Sequence, residues 1–112
     1  MLSPFILDRA SILERLGGDE EIFTMMVDMF LGDAQNNCAA LLAAQAAQDG
    51  PLLQREAHTI KGLLSTFSDD AGAEMAFALE QRAKLRQLDG AGERVEQLVR
   101  RMQEVAATLS AL

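Results

Sequence analysis

At 112 residues the chain has the length of one domain, and that is enough chain to bury a single core without a disulfide or metal staple. Its 17 acidic and 10 basic side chains give a formal net charge of −7, which argues against a role on nucleic acid or on an anionic lipid surface. Apolar residues make up 49% of the chain but aromatics only 4%, and the excess of Ala, Leu and Met leans the composition towards an all-α fold.

The opening Met1-Leu2-Ser3-Pro4 lacks the basic start and the long apolar stretch of a secretion signal. Asp8 is a suitable cap for a short first helix over about 9–16, carrying Ile12, Leu13 and Leu16 and stopped by Gly17. Asp19 caps a second helix over about 20–48, with Glu20 and Glu21 in its first turn, where the helix dipole favours negative charge. Phe23, Met26, Val27, Phe30, Ala34, Cys38 and Leu41 form its inward stripe, so Cys38 reads as a small core residue. A single Cys permits no internal disulfide and fits a reducing compartment, and one Cys with one His makes no zinc site of the usual spacing. A cytoplasmic protein is expected.

Pro51 suits the first turn of a third helix, over about 52–67, whose stripe is Leu53, Ala57, Ile60, Leu64 and Phe67. A fourth helix over about 70–88 presents Ala76, Leu79 and Ala83 along one face. A fifth, over about 92–110, presents Val95, Leu98, Val99, Met102, Val105, Ala106 and Leu109. Short loops between four long amphipathic helices predict an antiparallel up-down-up-down bundle with the short N-terminal helix as a lid on one end. None of these segments is an apolar run long enough to span a membrane, so no membrane insertion is expected, and the whole of 1–112 reads as one domain.

The chain has one histidine, His58, in the third helix. Stepping about 100° per residue from the centre of the apolar stripe points His58 about 140° away from the core. A lone histidine on an apolar face is usually a satisfied core residue; this one should face solvent. Lys61 and Gly62 follow at i+3 and i+4, on the neighbouring turn. Lys61 brings positive charge beside the imidazole. Gly62 costs up to about 1 kcal/mol relative to Ala in a helix interior and removes a side chain that would crowd the ring. The bland alternative is a solvated His-Lys pair with an incidental glycine.

Ala57-His58-Thr59-Ile60-Lys61-Gly62 resembles the phosphorylation-site helix of histidine-containing phosphotransfer (HPt) domains, whose pattern is Ala-His-x-(Leu/Ile)-Lys-Gly. Leu7-Asp8-Arg9 through Leu13-Glu14-Arg15-Leu16-Gly17-Gly18-Asp19 and on to Phe30 is similar to the first part of these bundles. Leu79-Glu80 matches the Leu-Glu on the following helix, with Glu80 22 residues after His58, as in the family. The resemblance implies that His58 accepts a phosphoryl group on Nε2 and that Glu80 orients the ring through Nδ1–H. It also implies that Lys61 offsets phosphoryl charge and that Gly62 leaves room for a partner. Lys84, one turn beyond Glu80, is either a further positive charge near the site or a plain surface partner of Glu80, the second being preferred. Three positions depart from the pattern. Ser68 stands where a glycine is usual, Leu63 and Leu64 replace small residues, and Gly72 replaces a large apolar residue. These departures bear on how the third helix ends and the fourth begins.

The resemblance further implies a monomeric carrier, not a self-sufficient enzyme. It would take a phosphoryl group from a receiver-domain phospho-aspartate and pass it to another receiver, in a hybrid histidine kinase, a response regulator or both. It could stand alone or form the cytoplasmic C-terminal part of a membrane-bound hybrid kinase. No cofactor is expected in the chain, and Mg²⁺ is expected on the receiver. The sequence holds no phosphate-cradling Gly-rich loop and no paired-carboxylate metal cluster. The alternatives are a degenerate bundle of the same fold that docks partners without being phosphorylated, and an enzyme using His58 as a general base. The last lacks a second titratable group, beyond Glu80, at a catalytic spacing.

Overall fold

The structure, a computed structural model, describes residues 3–112, so Met1 and Leu2 of the N-terminal segment lie outside the described residues. Five helices follow one another: α1 (Arg9–Arg15), α2 (Glu20–Ala46), α3 (Gly50–Thr66), α4 (Asp70–Lys84) and α5 (Ala91–Ser110), with no strand among the described residues. α1 to α4 each start behind an aspartate whose carboxylate accepts the first free backbone N–H groups. Asp8 takes Ser11, Asp19 takes Glu21 and Ile22, Asp49 takes Leu52 and Asp69 takes Gly72. The cap at Asp49 moves the start of α3 to Gly50, two positions before the expected 52, with Pro51 still in the first turn.

The same four helices also end alike. A residue in the left-handed region follows the C-cap, and the next N–H closes a six-residue bond back into the helix. The closing bonds are Gly18 to Leu13 O at 2.7 Å, Asp49 to Ala44 O at 3.0 Å, Asp69 to Leu64 O at 2.9 Å and Gln87 to Arg82 O at 2.8 Å. Only α1 uses glycine at the turning residue, Gly17 at φ 68°; the others use Gln48 at φ 53°, Ser68 at φ 60° and Arg86 at φ 59°. α4 therefore stops at Lys84, short of the expected 88, because Arg86 turns the chain although no glycine marks the place. α2 stops at Ala46, two residues short of 48, for the same reason.

Each non-glycine turn has a side-chain contact that offsets the strain of its backbone. Gln48 Nε2 donates to Gln45 O at 3.0 Å, Ser68 Oγ accepts from Arg15 at 2.8 Å, and Arg86 folds back to donate to Ala83 O at 3.2 Å. The Arg86 side chain lies so close over Gly50 that a Cβ there would come within 3.0 Å of it.

α2 packs against α3 and α5, and α4 packs against the same two, closing a ring of four helices. Phe30 and Phe67 meet edge to face at 5.4 Å in the core, which buried Leu41, Leu53, Ile60, Leu64, Leu79, Leu98 and Met102 continue along the bundle. Cys38 is buried on the α2 stripe, and burial raises its thiol pKa. α1 lies across one end. Ile12 is buried, Arg9 pairs with Glu20 and sits 4.9 Å over the Phe23 ring, and Arg15 donates to Thr66 O and Ser68 Oγ.

An ion pair also sits inside the bundle. Arg101, on α5 among Leu98, Met102 and Val105, meets Asp69 in a fork, Nε to Oδ2 at 2.8 Å and Nη2 to Oδ1 at 2.7 Å. Its Nη1 donates to Ser3 O and Glu104, and Glu104 accepts the Phe5 N–H, tying the N-terminal segment to α5. Asp69 thus caps α4 and neutralises Arg101 at once. A Cβ on Gly72 would land on Asp69 Oδ2 and approach Leu64 Cδ1 to 3.0 Å, which accounts for glycine where the HPt pattern has a large apolar residue.

Candidate functional site

α3 carries His58 and Lys61 on the flank that faces α4, and α4 carries Glu80 opposite them. Fully buried Ala57 and Ile60 on α3, and Ala76, Leu79 and Ala83 on α4, hold the two helices close. At that separation Glu80 reaches both basic side chains. Its Oε2 lies 2.9 Å from His58 Nδ1 and its Oε1 accepts from Lys61 Nζ at 2.8 Å. One carboxylate is shared by two cationic or proton-bearing groups, one on each oxygen.

Burial differs sharply across this cluster. Glu80 is 9% exposed, the Lys61 side chain 27% and the His58 side chain 65%. Burial pushes the Glu80 carboxyl up, but the hydrogen bonds and charges of Lys61 and His58 outweigh it and hold the group below its usual range. An ionised Glu80 can only accept, so Nδ1 of His58 carries the proton in this contact. Nε2 makes no hydrogen bond among the described residues. The cluster can thus present an oriented imidazole whose second nitrogen, Nε2, is open to an incoming group.

Gly62 is exposed, and a Cβ there would meet nothing within 4 Å, so packing within the chain gives no reason for a glycine in the middle of a helix. Lys84 lies exposed at the end of α4 and makes no ion pair within 4 Å among the described residues, so the surface pair with Glu80 is not formed. Leu63 is half-buried against the core, Phe23 is buried and Met26 half-buried. No group of three or more His, Cys, Asp or Glu among the described residues is placed to hold a metal ion.

The structure adds a residue that the sequence reading passed over. Phe77, one turn before Glu80 on α4, lays its ring 5.0 Å from Lys61 Nζ while remaining 47% exposed. The available signal was a large aromatic on the polar flank of α4.

The model of the Hpt domain family matches residues 25–108 of this chain. Among solved structures, the chain is similar to histidine-containing phosphotransfer protein B from Pseudomonas aeruginosa, with 26% sequence identity and a TM-score of 0.84. That match covers 94% of this chain and 91% of the other. Among curated proteins no match is found.

Proposed function

The chain belongs to the Hpt domain family, whose members are phosphotransfer carriers of phosphorelays, and on that footing we propose that His58 Nε2 is its phosphoryl acceptor. The observation that carries this reading is the His58 Nδ1–Glu80 Oε2 contact at 2.9 Å, with the other ring nitrogen left open.

In the proposed step the Nε2 lone pair attacks the phosphorus of a receiver's aspartyl phosphate. The P–O bond to the aspartate breaks and that carboxylate leaves with the electron pair. The ring, keeping its Nδ1 proton, gains positive charge as the N–P bond forms, and the Glu80 anion on Nδ1–H stabilises it. The same positive charge makes the phosphoryl group easy to release to a second receiver, so one arrangement serves both directions. Lys61, on the other Glu80 oxygen, adds positive charge near the incoming phosphoryl oxygens. Gly62 leaves the approach to the ring unobstructed.

The metal and much of the positive charge that phosphoryl transfer requires are assigned to the receiver, as Mg²⁺ held there, and not to this chain. The partners are receiver domains of a hybrid histidine kinase, a response regulator or both, met in the cytoplasm by a monomeric carrier. Exposed Ile22, Met25 and Met29 on the first half of α2 support an apolar docking surface there and on α1, of the modest area suited to transient encounters.

The test is incubation with a phosphorylated receiver. Acid-labile, base-stable label should appear on the chain and vanish in His58→Gln, which is expected to stay folded because His58 is exposed. Absence of label across a broad receiver panel would instead make the chain a docking bundle that is never phosphorylated.

A further inference from the structure

Four of the five phenylalanines are buried, and Phe77 alone is not, so its ring does nothing for the core. It is also the one aromatic among the exposed large apolar side chains of the described residues. What the ring does touch is the Lys61 ammonium, at 5.0 Å from its centroid. The same ammonium donates to Glu80 Oε1 at 2.8 Å. Phe77 and Glu80 lie on adjacent turns of one α4 face, three positions apart, so the rigid helix fixes ring and carboxylate relative to each other.

We infer that Phe77 is a positioning residue, whose ring face keeps the Lys61 ammonium on the Glu80 carboxylate. A lysine on a flexible four-carbon stem loses much rotamer freedom when it is held by one hydrogen bond at a partly exposed site. The aromatic face supplies a second attraction along a different direction, and the two together confine the ammonium. That confinement matters to His58 because Glu80 serves both groups. With Lys61 fixed on Oε1, the carboxylate keeps Oε2 on Nδ1 of the imidazole. With Lys61 free, the carboxylate is free to rotate and the ring loses its orienting partner. The kinetic part of this inference rests on the reading of His58 as the phosphoryl acceptor; the placement of Lys61 does not.

Two measurements test it, and they fail separately. The chain has two lysines, Lys61 and Lys84, so the ε-methylene signals in a carbon–proton NMR spectrum are few and exposed Lys84 is an internal reference. Ring current should shift the Lys61 signal upfield of Lys84. Phe77→Leu, which keeps an apolar side chain and removes the ring, should bring it back to the Lys84 position, and Phe77→Tyr should preserve the shift. An unshifted Lys61 in the parent, or a shift that survives Phe77→Leu, overturns the inference.

In transfer from a phosphorylated receiver, Phe77→Leu should be about two- to fivefold slower and Phe77→Tyr close to the parent. In a Lys61→Met background Phe77→Leu should have no further effect. Equal slowing with and without Lys61 would mean that the ring acts on the partner and not through the lysine, and would also overturn the inference. If the NMR contact is present but no variant and no parent protein takes label, the acceptor role of His58 fails while the placement of Lys61 by Phe77 stands.

Discussion

Asp69 and Glu80 are both buried carboxylates of the α4 region, and both hold basic side chains contributed by another helix. Asp69 is 3% exposed and meets Arg101, itself 4% exposed, in a two-bond fork, while its remaining capacity caps α4 at Gly72. Every group in that knot faces another group of the same chain. Glu80 is sunk almost as deeply, but its two partners rise towards solvent, Lys61 partly and His58 mostly. The chemistry of the two carboxylates is the same; the difference lies in whether the far side of the partner is covered. A covered pair fixes two helices to each other. An uncovered one leaves the far side of its partner open to solvent.

That contrast can be broken most forcefully at Arg101. Arg101→Met strands a buried Asp69 and should lower stability by about 3–5 kcal/mol in urea unfolding, with transfer per folded molecule unchanged. Adding Asp69→Asn keeps the cap acceptor and removes the orphaned charge, so the double variant should be more stable than Arg101→Met alone. Glu80→Ala is the counterpart, expected to slow transfer by about ten- to a hundredfold while circular dichroism still reports a folded bundle. An unchanged rate would remove the orienting role of Glu80.

Gly72→Ala presses a methyl group on Asp69, which Arg101 prevents from yielding, and should cost about 1–3 kcal/mol in the same unfolding measurement.

Acid sharpens the comparison further. Glu80 has its carboxyl held below the usual 4.5, so its ionisation favours the folded state. That contribution is complete above the unfolded-state pKa and is lost as pH falls through the lower folded-state value. Urea midpoints of the parent and Glu80→Gln should therefore differ most above about pH 5 and draw together in stronger acid. The smallest effect is expected at Ser68→Gly, where relief of the positive φ and loss of the Arg15 hydrogen bond nearly cancel, leaving stability within about 0.5 kcal/mol of the parent.

The bundle was legible because its helix starts are written in side chains. Asp8, Asp19 and Asp69 stand just ahead of apolar stripes, and the stripes of α2, α3 and α5 are the buried faces found in the structure. Helix ends were harder to read. Gln48 and Arg86 adopt a left-handed turn usually marked by glycine, and the contacts that make this tolerable are invisible to local pattern. Of the site, His58, Lys61 and Gly62 follow from the face of one helix, and Glu80 from its family spacing. Phe77 does not, since an aromatic on α4 acquires meaning only when Lys61 lies beneath it. Arg101 sits on the apolar stripe of α5 between Leu98 and Val105, but neither it nor its partner Asp69 stood out in the sequence, because the pairing joins side chains 32 residues apart.

The openness of His58 has a consequence in time. A phosphoryl group on Nε2 of a ring with 65% of its side chain in solvent has no pocket wall to keep water from the phosphorus. Its dwell time would then follow the intrinsic durability of the nitrogen–phosphorus bond, with little shelter from the protein. If His58 is the acceptor, a message held that way would fade at a rate the bundle scarcely controls, and its range would depend on how often a receiver collides with this face.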